Sequence, residues 1–397
     1  MSATQFDQVF ERWAAQLPAT VRTARAQSLA RFSAQGWPHR KLEDWRYTDL
    51  SALADKQFAT PSSLPDIDIA GLLLDGCDTH LCINGGDGAL KTHGSEGSSV
   101  VALNAAFARE GLQLHLPADQ TAARPVHLLT YVDSAQPVMA HLRHAIKLDA
   151  NAQATVILQH AGRGDYLTTQ VTDIELGPGA QLTLYRFQDE AAGSTHLAQT
   201  DVRMARDSRL HFVNADLGEG LARLDFNVQL DGAGAEAALH GLYALNDRAH
   251  ADAHLRIHHR AGHCNSRIAF RGIADGSAHA VLNARVMVHE HAIKTDSETR
   301  IANLLLSKSA EVYAKPELEI YNDDVKCAHG ATFGQLDPDA IYYLRARGLD
   351  SEMARALLTR AFVTEVLEHV GHDALRQRIH RRLLQKLPQG SALESLS

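Results

Sequence analysis

The sequence predicts a mainly β protein: a β-solenoid, or β-helix, core flanked by N-terminal and C-terminal α-helical segments. Three observations predict it. From about residue 126 the pattern alternates, with Val171, Asp173 and Glu175 on one side of a run and Thr172, Ile174 and Leu176 on the other, the period of a strand. Within the same stretch a short unit recurs every 26–28 residues. Helical periodicity is confined to the two ends of the chain.

The elements follow in order. Phe6, Val9, Phe10, Trp13 and Leu17 recur at helical spacing before Pro18. A second helix is expected over residues 20–35, with Leu29 and Phe32 on one face and Gly36 as its stop. A compact segment fills 36–50, and residues 60–66 (TPSSLPD) have the composition of a linker. Short apolar runs between turns such as Asn84-Gly-Gly-Asp-Gly88 make 67–125 mixed. The organisation expected is an N-terminal helical region (1–60), a mixed α/β connecting region (61–125), a β-helix core (126–334) and a C-terminal helical domain (335–397).

The repeat lies in the core. Leu148, Leu176, Met204 and Leu230 each precede a turn, a small residue four positions on (Ala152, Ala180, Ser208, Gly234) and a new strand. Ile257 continues the series with Ala261, and Leu306-Ser-Lys-Ser-Ala310 resembles a further copy. Propeller blades need about 40–45 residues, whereas a ~27-residue unit of strands and tight turns suits a stacked β-helix. An antiparallel sandwich with coincident turn chemistry is the alternative. Past Gly334, Asp337 offers an N-cap and Pro338 a first helical residue. Gly348 ends that helix, and further helices are expected over 351–370 and 372–387.

Composition narrows the function. The chain has 397 residues, 45% hydrophobic and 22% charged, which excludes wholesale disorder. Lys and Arg total 39 against 47 acidic residues, a net charge of −8, without the basic surplus of a nucleic-acid binder. Four cysteines cannot build a disulfide framework and point to a reducing compartment. No run approaches the ~18 apolar residues of a membrane span. The first 17 residues lack signal-peptide character and include Asp7 and Glu11. A cytoplasmic protein without membrane or nucleic-acid partners is expected.

Several motifs could carry chemistry. His250, His254, His258, His259, His263 and Cys264 cluster in sequence. However, Ala251, Ala253, Leu255 and Ile257 alternate with the polar residues, so the run fits a strand whose outer face is polar. Cys327-Ala-His329 is sharper. Positions i and i+2 of a strand share a face, and a thiolate beside an imidazole suits iron, copper or zinc. Two ligands are half a first shell, so a partner or a distant rung must supply the rest. Asp323 and Asp324 fall on opposite strand faces, which weakens a paired acid/base role. P-loop, G-x-S-x-G and HExxH patterns are absent; Gly85–Lys91 is glycine-rich but mis-spaced. Residues 376–386 form a basic amphipathic helix, either solvated or turned to an acidic partner.

Lys315-Pro-Glu-Leu-Glu-Ile-Tyr-Asn-Asp-Asp-Val-Lys-Cys-Ala-His-Gly-Ala-Thr-Phe-Gly-Gln-Leu-Asp337 resembles the C-terminal signature of the SufB/SufD family of iron–sulfur cluster assembly proteins. The likeness runs on through Ala340–Gly348 and upstream through Lys294–Ser307, and Leu42-Glu-Asp-Trp-Arg-Tyr-Thr48 looks like the family's SufD-type entry motif. The resemblance implies a right-handed parallel β-helix between helical ends. It also implies a non-catalytic scaffold subunit working with a SufB-like sister and two copies of a SufC-like ABC-type ATPase. Cys327 and His329 match the family's metal-binding pair at the sister interface, where a nascent Fe–S cluster is built, and the C-terminal helices match the ATPase dock. Family complexes are associated with reduced flavin, for which no motif stands here. A homodimer of the isolated chain is compatible with this pattern. The competing classes are a β-helix enzyme acting on polysaccharide and a histidine-rich metal-binding protein.

Overall fold

A computed structural model describes residues 4–15, 17–60, 69–83, 97–109 and 111–387. Most of the expected linker, the Asn84–Gly88 turn, the Gly85–Lys91 stretch and the polar tail after Leu387 lie outside the described residues. Helices α1 (Thr4–Ala14) and α2 (Ala19–Gln35) open the chain, and Gly36 closes α2 with a φ of 70°. Strand β1 (Asp78–Ile83), helix α3 (Ser99–Phe107) and strand β2 (Gln113–Leu116) follow.

The core is a parallel β-helix of about eight turns. Two long strands, β3 (Val126–Leu148) and β4 (Gln153–Leu176), run through a corner and contribute to two ladders at once. One ladder continues through β6 (Ser194–Met204), β8 (Leu221–Leu230), β10 (His250–His259), β12 (His279–Val288) and β14 (Glu311–Ile320). The other continues through β5 (Gln181–Glu190), β7 (Arg209–Asp216), β9 (Glu236–Leu245), β11 (Asn265–Ala274), β13 (Asp296–Leu305) and β15 (Lys326–Gly334). Every pairing is parallel, so the sandwich alternative falls. Strands β1 and β2 pair with β3, so the solenoid draws its first rung from residues upstream of 126.

The repeat is a register. Leu148, Leu176, Met204 and Leu230 are successive Cα partners. Ala152, Ala180 and Ser208 sit fully buried at one corner, each carbonyl accepting from the strand N–H of the next rung. Beyond Leu230 the expected alignment slips. Its partner is His259 rather than Ile257, and the buried small residues are Ala235 and Cys264 rather than Gly234 and Ala261. The turn there has gained one residue. Gly234 (φ 75°) is instead the left-handed residue just before the buried one, matching Asn151, Gly179, Asp207, His263 and Lys294; Gly and Asn or Asp adopt that region most readily. The copy at Leu306 belongs to the opposite corner, where Ala310 follows Ala249 and Ala278.

Both outer faces are covered. Phe6, Phe10, Phe32, Trp37 and Phe107 of α1–α3 and the adjoining segment pack on Met139, Leu167 and Leu197 of the first ladder. Helices α4 (Pro338–Arg345), α5 (Ser351–Leu367) and α6 (Asp373–Lys386) follow the core, with Asp337 capping α4 as expected. Helices α5 and α6 lie over the second ladder, burying Val363, Leu367, Ile379 and Leu383 against Ile157, Phe187, Val213 and Leu242. Among the described residues no helix is long and apolar enough to cross a membrane.

Candidate functional site

The last turn of the solenoid is exposed, as β1 and β2 at its start are in part. Strands β14 and β15 terminate the strand order, each with a ladder neighbour on one side only. Alternation along β15 puts Cys327, His329, Ala331 and Phe333 on the interior face, because Cys327 and Ala331 pack against the apolar core. The expected shared face of Cys327 and His329 is therefore present, with the two Cα atoms about 6.5–7 Å apart. His329 is exposed and Cys327 half-buried. Cys327 closes the end of an interior column. Its register partner is Ser297, and that of His329 is Thr299. Burial pushes the Cys327 thiol pKa up, the Asp296 carboxylate adds to this, and a hydrogen bond from the Ser297 backbone opposes both. Cys327 is therefore a thiol at neutral pH, and a metal must displace its proton to gain a thiolate ligand. Ile320, Tyr321 and Phe333 of the last turn also stand exposed.

His250, His254 and His258 lie on the outward face of β10 as expected, since Ala253, Leu255 and Ile257 point into the core, while His259 turns inward to Ser266 and His263 and Cys264 lie in the following turn. The outward face is only partly open to solvent. Residues 43–50 of the N-terminal region fold across it and bury Asp252 and His254. Thr48 Oγ1 meets His250 Nε2 at 2.9 Å and donates to Asp252. Arg223 donates to Asp252 at 2.6 Å and to Asp225 at 2.9 Å, with the Trp45 ring 3.8 Å from its guanidinium carbon. Burial opposes charge on Asp252, but the Arg223 guanidinium outweighs it and holds the carboxyl well below the usual carboxylate range. The polar face is thus a buried seam between two parts of the chain. Among the described residues no group of three His, Cys, Asp or Glu side chains is arranged to hold a metal ion.

The C-terminal expectations also shift. Of the basic side chains of α6, Arg378, Arg382 and Lys386 turn onto the rest of the chain, while Arg381 stands exposed. Arg378 donates to the Leu72 and Leu73 carbonyls and Gln159, Arg382 pairs with Asp189 and Glu219, and Lys386 reaches the Gly218 carbonyl. Leu357 of α5 is half-buried against the core. The exposed apolar residues sit on α4, which buries none of its residues: Tyr342 is 73% and Tyr343 57% exposed. Asp324 is tied to Lys294 at 2.7 Å on the surface. Sequence reasoning passed over Ser297, Thr299, Tyr342 and Tyr343. The first two needed the true register past Leu230; the tyrosines needed only the absence of a buried partner for α4.

Residues 130–362 match the family described as SUF system FeS cluster assembly, SufBD core domain. Residues 3–79 match the SufBD protein N-terminal region. The chain is 32% identical to the iron–sulfur cluster assembly protein SufD of Escherichia coli, over 94% of this chain and 95% of that one. It is 29% identical to an iron–sulfur cluster assembly SufBD family protein of Synechocystis, covering 87% and 86%. It is 25% identical to the chloroplastic protein ABCI7 of Arabidopsis thaliana, covering 86% and 80%.

Proposed function

The chain belongs to the SufBD family of iron–sulfur cluster assembly proteins, and we propose that it works there as a non-catalytic SufD-type scaffold subunit. Its partners in this reading are a SufB-like sister, joined at the open end of the β-helix, and a SufC-like ABC-type ATPase, joined through the C-terminal helices. The nascent cluster, or its iron, is cargo rather than a resident cofactor.

One observation carries the reading: the exposed last turn bears a Cys–His pair on its interior face. Unpaired strand edges template the addition of further strands, and exposed Ile320, Tyr321 and Phe333 give a docking sister apolar surface to bury. Cys327 and His329 supply a soft thiolate and an imidazole, half of a ligand set. The sister supplies the rest. A cluster held from two sides is released when the subunits part, and ATP-driven movement of the partner is what would part them. Tyr342 and Tyr343 on α4 are the anchors proposed for the ATPase.

The test is complementation of a strain lacking this gene, under iron limitation or oxidative stress. The Cys327→Ala, His329→Ala double variant is expected to accumulate normally, to co-purify with sister and ATPase, and to fail to restore growth. Full rescue at normal protein levels would reduce the pair to packing.

A further inference from the structure

We propose that Ser297 and Ser266, backed by His259, form a chain of hydrogen-bond donors beneath Cys327 that closes onto Sγ when a metal binds and stabilises the metal-bound thiolate; this rests on the assignment of Cys327 as a ligand. The interior column that ends at Cys327 changes character along the solenoid. Ala154, Leu182, Leu210 and Ala237 occupy its first four places, then Ser266, Ser297 and Cys327 its last three. Hydroxyls therefore enter an otherwise apolar column only in the two rungs beneath the cysteine. Both serines are at most 2% exposed, so water does not supply their partners.

The partners are each other. Ser266 Oγ donates to Ser297 Oγ at 2.8 Å, and His259 Nε2, on a fully buried ring from the other ladder, meets Ser266 Oγ at 2.9 Å. His259 Nδ1 has no hydrogen-bond partner. Burial, with His258 nearby, brings the His259 pKa down to about 4, so the ring is neutral at pH 7. Its single hydrogen belongs on Nε2, because the other tautomer would bury an unpaired N–H, the rarer and costlier orphan. The chain then runs His259 N–H to Ser266 and Ser266 O–H to Ser297; the Ser297 hydroxyl donates to no other group among the described residues, and the next rung lies about 4.8 Å away. That rung presents Cys327. Successive donors polarise one another, and the Ser297 backbone N–H already reaches the same sulfur. On ligation a metal–sulfur bond replaces the S–H bond and the proton leaves to water at the open end. The chain itself gains and loses no proton. Ser297 and Ser266 are thus positioning residues, acting on the metal through the cysteine as outer-shell hydrogen bonds do.

The test uses the full-length chain under reducing, anaerobic conditions, with Co²⁺ as the metal probe. Cys327→Ser identifies the thiolate-to-cobalt band that belongs to this site. Ser297→Ala is expected to weaken cobalt binding by roughly 10-fold and to move that band to lower energy. Ser266→Ala should do the same to a smaller extent, and Ser297→Thr, which keeps the hydroxyl, should restore both. Ser208→Ala, another fully buried serine, controls for a cavity alone. A second readout needs no metal: iodoacetamide alkylation of Cys327 at one fixed pH should slow in Ser297→Ala and recover in Ser297→Thr. Unchanged cobalt affinity, band position and alkylation rate in Ser297→Ala would overturn the proposal. Slowed alkylation in a protein whose unaltered form binds no cobalt through Cys327 would uphold the donor chain and sink the ligand assignment instead.

Discussion

The first turns of the β-helix and its last turn share one repeat but differ in what packs on their outer face. At the start, β1 and β2 extend β3, every residue of α3 is buried, and α1 and α2 seal the outer face. Even the polar side chains there are enclosed: His127, His141 and His144 of β3 are at most 4% exposed. At the finish, β14 and β15 pair on one side only, and Ile320, Tyr321 and Phe333 stand in solvent. The strand edges of the last turn are of the kind proteins otherwise protect, in keeping with the interface proposed there.

The largest expected effect that separates the two ends is acid sensitivity. Burial lowers the pKa of His127 and His144 to about 4, and that of His141 to about 3, against 6.5 for the free side chain. The folded state keeps these rings neutral while the unfolded chain protonates them. Their contribution is therefore fully present above pH 6.5 and is lost as pH falls toward 4, at up to about 1.4 kcal/mol per pH unit for each ring. Denaturant midpoints at pH 7 and pH 5 measure this. A flat profile would mean that the sealed end is wetter than described.

Next comes the seam over β10. Asp252→Ala leaves the Arg223 guanidinium buried with one of its two carboxylates gone, and breaking such a pair costs about 3–5 kcal/mol. Asp324→Ala, which removes an exposed ion pair beside the last turn, should cost no more than about 1 kcal/mol. Equal losses in chemical denaturation would erase the contrast between the regions.

The smallest contrast uses one column of the repeat. Ala180→Leu should overpack a closed rung and cost about 1–3 kcal/mol. Val325→Leu, at the equivalent place in the last rung, should stay within about 0.5 kcal/mol, because Val325 is only partly buried and no rung lies beyond it. A large loss at Val325 would show the end to be tightly packed.

Much of the architecture was open to inspection in the sequence because its causes are local. Strand alternation, the small buried residue at each corner and the Asp337–Pro338 helix start depend on neighbours a few residues away. The register held from Leu148 to Leu230 and then failed, since a single inserted turn residue moves every later assignment. That slip hid Ser266 and Ser297, whose meaning depends on standing beneath Cys327. Burial of the histidine strand was invisible for a different reason: alternation tells which face is polar, not that residues 43–50, some 200 positions earlier, come back to cover it. Cys327 and His329 were found through their spacing and the surrounding signature. The partial burial of Cys327 could come only from the packing of the final turn.

The lashing of α6 to the barrel has a mechanical side. Arg378 holds residues 71–73 and Gln159, Arg382 holds Asp189 and Glu219, and Lys386 holds the Gly218 carbonyl, while Arg271 ties Glu365 of α5 to β11. The two helices form a strap stitched at several points across the stack of rungs, with α4 as its free tab. A load applied at the tab and directed along the strap falls on all the stitches together, in shear. The same load directed outward would open them one at a time. A tug along the barrel is therefore carried to the early turns as a rigid displacement, and the chain can serve as a lever that moves its open end without coming undone.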